Sequence, residues 1–236
     1  MTVQDDERER ELVRLFNLDW NPAHQRAGID AVLTLDHAGS VRRIEVEVKS
    51  TTGDTVSTAR DVGMEHIAKW RNKLFVIGFY TKEARRPELL RCLCLTPADM
   101  APWIDALEAK IGVDFRIADI VGRKMQVADL HVLCGAKDAY TLDDAKSILR
   151  QQWSLAEYQQ GADLRVDGQP CFSPGAMLRV LGLRAAYIAR RGATLNNPHV
   201  TKAHLAAFLG TDREVTGNWA ACIRDIAAAW LAKSSG

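Results

Sequence analysis

The stretch Gly28-Ile-Asp-Ala-Val-Leu-Thr-Leu-Asp36, His37-Ala-Gly-Ser40, Val41-Arg-Arg-Ile-Glu-Val-Glu-Val-Lys-Ser50 is two β-rich runs about a short turn. The second run alternates, with Ile44, Val46 and Val48 on one side and Glu45, Glu47 and Lys49 on the other. A period of two is the signature of a half-buried strand, and two such runs about a short turn predict a hairpin. Facing residues of a hairpin have position numbers with a constant sum. With Asp36 opposite Val41 the sum is 77, which sets Asp30 opposite Glu47. Directly opposed Cβ atoms lie about 5 Å apart. Lys49 points to the same face as Glu47, roughly 7 Å along the strand. Two carboxylates and one ammonium are thus expected to converge, and a one-residue slip would scatter them.

The flanks of this hairpin predict a mixed α/β core. Residues 5–17 are charge-rich with Leu12, Leu15 and Phe16 at helical spacing and Val13 beside them, an amphipathic helix that Pro22 ends. Asp61 to Asn72 reads as a helix with Ile67, Ala68 and Trp70 as its apolar surface. Lys73 to Tyr80 and Glu88 to Thr96 read as strands, and Pro97 suits the first turn of a helix running to about Lys110. Beyond about residue 138 the character turns helical. Thr141 caps a helix expected to reach Tyr158, a Gly/Asp/Pro-rich loop spans Gly161 to Pro174, and helices follow over 176–191, 199–209 and 219–233. The expected division is therefore 1–138, a mixed-sheet core, and 139–236, a helical region or a lobe packed on that core.

Composition excludes several classes. The 236 residues are 47% hydrophobic and 26% charged, which excludes a disordered chain and supplies a full core. Lys+Arg 31 against Asp+Glu 30 gives a net charge of +1, which excludes a polycation but not a local basic groove. No run of apolar residues is long enough for a membrane span, and Met1 to Arg10 resembles neither a signal nor a transit peptide, so a cytoplasmic location is expected. The five cysteines, Cys92, Cys94, Cys134, Cys171 and Cys222, lack zinc spacing and read as free thiols, Cys92 and Cys94 sharing one strand face. The six histidines show no metal-ligand spacing. No phosphate-binding Gly-rich loop is present, so no nucleotide cofactor is expected.

Two carboxylates held close repel unless positive charge lies between them. Hard oxygen donors select Mg²⁺ or Mn²⁺, which takes one or two carboxylates with waters and phosphate oxygens. Such an ion can hold a phosphodiester and lower the pKa of a bound water. A lysine beside it can orient or deprotonate that water, or steady the transition-state charge. Asp30 followed across a hairpin by Glu47-Val48-Lys49 resembles the active-site motif of the PD-(D/E)XK, or restriction-endonuclease-like, nuclease superfamily. The leading helix, hairpin, helix over 61–72 and strand over 73–80 match that superfamily's core order, and the likeness covers residues 6–110. It implies Asp30 and Glu47 as metal ligands with the Val48 carbonyl, and Lys49 as the catalytic lysine. Glu11 is the implied glutamate of the first helix. Asp30 follows Gly28-Ile29, so the motif's proline is missing, as it is in many members. Glu45 is a possible alternative ligand, and Ser50 a possible contact to phosphate or water. The alternative for these charged residues is the solvated face of an amphipathic strand.

A nuclease needs basic residues along its groove. Arg85 and Arg86, placed in a loop between two strands, are candidates, with Arg123 and Lys124 in another loop. Arg179, Arg184, Arg190 and Arg191 lie on one helical stretch, Arg184 and Arg191 seven apart on one face. Leu205 to Trp219, which includes Arg213, has a loose helix-turn-helix look with Gly210 as the turn, although Gly217 weakens the second helix. Packing of Leu205, Phe208 and Trp219 as core is the plainer account. The expectation is a Mg²⁺-dependent endonuclease acting on double-stranded DNA. The resemblance adds 5′-phosphate ends and a type II restriction enzyme acting as a homodimer on a two-fold site, with residues 139–236 reading DNA or dimerising. A repair or modification-dependent nuclease of the same core, and a non-catalytic DNA-binding or interaction module, are the alternatives.

Overall fold

The computed structural model describes residues 3–20, 30–82, 87–150 and 152–234. Expectations placed on Pro22, on Gly28 and Ile29, and on Arg85 and Arg86 lie outside those residues. The chain is a mixed α/β protein divided into two compact units.

The first unit opens with α1 (Val3–Leu15). Its Leu12 and Val13, with Phe16 just beyond, are buried. The hairpin β1 (Ala31–His37) and β2 (Ser40–Thr51) follows. Ala38 at φ 49° and Gly39 at φ 77° make its turn, the left-handed pair that a two-residue hairpin demands. Asp36 faces Val41 and Ala31 faces Val46, the register that the constant sum predicts. Next come β3 (Val56–Ser57), α2 (Met64–Trp70), β4 (Leu74–Tyr80) and β5 (Leu89–Leu95). Every residue of β4 is buried, as a central strand requires. Then α3 (Pro97–Lys124) runs well past Lys110 and carries the chain out of the first unit. Arg123 and Lys124, expected in a loop, form its last turn.

The second unit spans 110–194. After α3 it holds α4 (Val127–Cys134), β6 (Tyr140–Thr141), α5 (Leu142–Leu149), α6 (Leu155–Gly161), β7 (Leu164–Val166), β8 (Gln169–Phe172) and α7 (Pro174–Ala193). Tyr140, Tyr158, Phe172 and Met177 lie in its core. Thr141 caps α5 as expected, accepting the Asp144 amide, but one helix to Tyr158 does not form. Arg150 turns left-handed at φ 50° and ends α5, and Ser154 with Glu157 builds a capping box that starts α6. The expected loop over 161–174 contains the hairpin β7–β8, turned by Asp167 at φ 49° and Gly168 at φ 78°.

The chain returns to the first unit through β9 (His199–Val200), α8 (Lys202–Ala206), β10 (Glu214–Val215) and α9 (Trp219–Ser234). The five-stranded sheet has the order β1-β2-β4-β5-β10. Only the β2–β4 pair is parallel. Val46, Val48, Leu12, Phe16, Ile223 and Ala227 share one core on the α1 and α9 side. The units are thus residues to 109 with 195 onward, and 110–194, instead of halves parted near 138. The cause is β10 and α9, whose Val215, Ile223, Ile226 and Ala227 complete the first core. Residues 211–219 form no recognition helix: Glu214 and Val215 pair with Leu93 and Cys92 of β5, and α9 begins only at Trp219. All five cysteines are free, Cys92, Cys94 and Cys171 buried. Among the described residues no helix is long and apolar enough to cross a membrane.

Candidate active site

β2 lies between β1 and β4, and its alternation gives its two faces different fates. Ile44, Val46 and Val48 enter the core with α1. Glu47 and Lys49 point the other way, where Phe75 and Ile77 are their register partners on β4. Phe75 is in turn covered by Trp70, with ring centroids 6.4 Å apart, and Trp70 by Trp103 at 5.3 Å. On this face Glu47 is 6% and Lys49 8% exposed. These charges are therefore not the solvated face of an amphipathic strand.

Asp30, Glu47 and Lys49 meet. Asp30 stands immediately before Ala31, the first paired residue of β1, and so reaches across to β2. The Lys49 Nζ donates to Asp30 Oδ2 at 2.9 Å. It also stands 3.0 Å from Glu47 Oε1. The backbone N–H of Val48 donates to the same Asp30 Oδ2 at 3.1 Å. Positive charge does lie between the two carboxylates, and it is the lysine's own ammonium.

Lys73, at the mouth of β4, escaped the sequence reading. Its Nζ donates to Glu47 Oε2 at 3.0 Å and lies 4.0 Å from Glu45 Oε2. The available signal was a charged residue heading an otherwise apolar strand on the face of Phe75 and Ile77. Glu45 is the outer member of the row, its side chain 45% exposed.

Burial alone would push the Glu47 carboxyl up, but the ammoniums of Lys49 and Lys73 outweigh it and hold the pKa at about 2. Burial alone would push Lys49 down, but the carboxylates of Glu47, Asp30 and Glu9 outweigh it and raise Lys49 above its ordinary value. Raised above its ordinary value, Lys49 is a cation at neutral pH beside these carboxylates, placed to orient or stabilise.

Of the glutamates of α1, Glu9 adds its negative charge to those acting on Lys49. Glu11 is exposed and accepts the Tyr80 hydroxyl at 3.0 Å. Ser50 accepts a hydrogen bond from Arg8 Nε at 3.2 Å.

Of the basic candidates, Arg213 belongs to the first unit and its Nε pairs with Asp99 Oδ2 at 2.7 Å. The same Asp99 oxygen accepts the Thr96 amide at 2.8 Å, so Arg213 braces the start of α3. Arg179, Arg184 and Arg191 belong to the second unit. Arg179 and Arg191 are exposed, and Arg184 lies over the Tyr187 ring at 5.3 Å.

The donor chemistry suits a hard divalent cation, because Asp30 and Glu47 supply carboxylate oxygens and Mg²⁺ completes its shell with carbonyl, water and phosphate oxygens. Among the described residues no group of three or more His, Cys, Asp or Glu side chains is arranged to hold an ion. Backbone, water and substrate would have to supply the remainder. No family model, curated protein or solved structure matches this chain.

Proposed function

We propose that the chain is a divalent-cation-dependent nuclease of the PD-(D/E)XK type, hydrolysing phosphodiester bonds of double-stranded DNA. The observation that supports this is the joining of Asp30, Glu47 and Lys49 through one buried ammonium, at 2.9 and 3.0 Å, at one end of a mixed sheet. Asp30 and Glu47, with the Val48 carbonyl, would hold Mg²⁺ or Mn²⁺. Such an ion, when bound, polarises the phosphate and lowers the pKa of the attacking water. Lys49, kept protonated by its carboxylate neighbours, would stabilise the charge that develops on the phosphate oxygens. Glu9 would supply a further negative charge from α1. The sheet order and the parallel β2–β4 pair support the restriction-endonuclease-like form of the fold. In its fullest form the proposal is a type II restriction enzyme acting as a homodimer and leaving 5′-phosphate ends.

One observation favours a different reading, a non-catalytic DNA-binding or interaction module. Asp30 and Glu47 already have ammonium partners in Lys49 and Lys73, so the four charges balance without any ion. Digestion of a random DNA pool with Mg²⁺, followed by sequencing of the ends, tests between them. Cleavage with 5′-phosphate ends supports the nuclease, and unique short palindromic sites support restriction. Ends scattered without preference, or dependent on modified bases, support a repair or modification-dependent enzyme. No cleavage with either Mg²⁺ or Mn²⁺ supports the module.

A further inference from the structure

Lys73 is a buried ammonium to which the proposed chemistry gives no task. It is 4% exposed and precedes a strand buried throughout. An apolar residue would fill this place without the desolvation that a charge entails. Its direct partner is Glu47, to which it donates at 3.0 Å. The two oxygens of that carboxylate are divided, Oε1 to Lys49 and Oε2 to Lys73. The two ammoniums differ in surroundings. Lys49 is shared with Asp30, whose side chain is 20% exposed, so its end of the cluster opens toward solvent. Lys73 is 5% exposed at its side chain and sits behind Glu47, with Glu45 4.0 Å away.

We propose that Lys73 is a positioning residue. It fixes Oε2 of Glu47, so that Oε1 is presented toward Asp30 and stays there when Lys49 turns to the substrate. A carboxylate held by one oxygen offers the other in a set direction, which is how groups behind a ligand raise a site's affinity for its ion. This rests on the nuclease reading. A lysine that merely filled space or stabilised the fold would alter melting and leave the ion's affinity alone.

The test is titration of Mn²⁺ alone into wild type, Lys73→Met and Lys73→Arg by calorimetry, beside plasmid cleavage over a Mg²⁺ series. Removing the group that orients a ligand weakens ion binding by roughly tenfold or more. Lys73→Met should show that loss, shift the Mg²⁺ half-saturation of cleavage upward and leave the KM for DNA unchanged. Lys73→Arg, which restores the charge, should recover most of the affinity. Lys73→Leu serves in place of Lys73→Met if the latter does not fold. A folded Lys73→Met or Lys73→Leu that binds Mn²⁺ as wild type does overturns the inference, as does Lys73→Arg no better than Lys73→Met. Wild type that neither binds Mn²⁺ nor cuts DNA overturns the nuclease reading, and the inference falls with it. Binding and cleavage by wild type with no change in the variants removes the inference alone.

Discussion

Asp30 Oδ2 accepts the backbone N–H of Val48 at 3.1 Å, so the first carboxylate of the site is tied to the middle residue of Glu47-Val48-Lys49. The same oxygen receives the Lys49 ammonium at 2.9 Å. One atom thereby binds the start of β1 to both backbone and side chain of β2.

The Lys49 ammonium stands where a cation between the two carboxylates would stand, so lysine and metal compete. Lys49→Met should bind Mn²⁺ more tightly than wild type, by about tenfold (roughly 1.4 kcal/mol), because it empties the position between Asp30 Oδ2 and Glu47 Oε1, which Lys73 on Oε2 does not occupy. The same variant should lose cleavage. Calorimetry with Mn²⁺ and a plasmid assay on one preparation check both, and weaker ion binding in the variant would disprove the competition.

Glu47 gives the metal-free protein a defined acid limit. Its folded pKa of about 2 lies below the ordinary 4.5, so the unfolded chain binds its proton first. The stability it contributes is complete above pH 4.5 and is lost as pH falls toward 2. Lys49 is shifted upward, so its contribution is complete below its ordinary 10.5 and is lost only as pH rises through a still higher value. Urea unfolding in EDTA should show wild type losing stability relative to Glu47→Gln between pH 4.5 and 2, and no such divergence between pH 6 and 9. Parallel curves throughout would contradict this.

Gly78 sets how closely α1 approaches β4. A Cβ there would stand 2.8 Å from Leu12 Cδ1 and 3.0 Å from Tyr80 Cε2. Leu12 is fully buried and cannot withdraw without opening the core. Gly78→Ala should therefore destabilise the protein by about 1–3 kcal/mol, the usual effect of overpacking. Thermal melting checks it, and a rise in melting temperature would refute the close seat.

Arg213 separates bracing from DNA contact. Its pair with Asp99 is largely buried, the side chains 18% and 15% exposed. Loss of a hydrogen bond between charged groups costs about 1–3 kcal/mol. Arg213→Ala should lower stability by that order and leave the salt dependence of DNA binding unchanged. A phosphate contact would instead reduce the salt slope by about one and spare stability. Arg179→Ala and Arg191→Ala are the comparison, expected to act on the slope if the second unit holds DNA.

The hairpin and its register were legible because they rest on two strong local rules, a period of two and a tight turn. Asp30, Glu47 and Lys49 could be placed from those rules alone. Lys73 could not, because it reaches Glu47 across a parallel pairing that sequence periodicity does not specify. β10 is two residues long and lies in the polar run Asp212-Arg-Glu-Val-Thr216, so only its pairing with β5 reveals it. Asp167-Gly168 was a readable turn signal hidden in a stretch whose composition looked like loop. α3 runs on past Gly112 and Gly122, although glycine inside a helix weakens it. Gly122 is instead set by packing: a Cβ there would lie 2.6 Å from the Gly182 carbonyl oxygen of α7.

The most direct test of the nuclease reading is cleavage of supercoiled plasmid in Mg²⁺ by wild type and by Asp30→Asn, with an EDTA control. Wild type should nick or linearise the plasmid, chelation should stop it, and Asp30→Asn should be about a hundredfold slower, because it loses one of the two carboxylates proposed to hold the ion. Cleavage by Asp30→Asn at the wild-type rate, or plasmid left intact by wild type, would contradict the account.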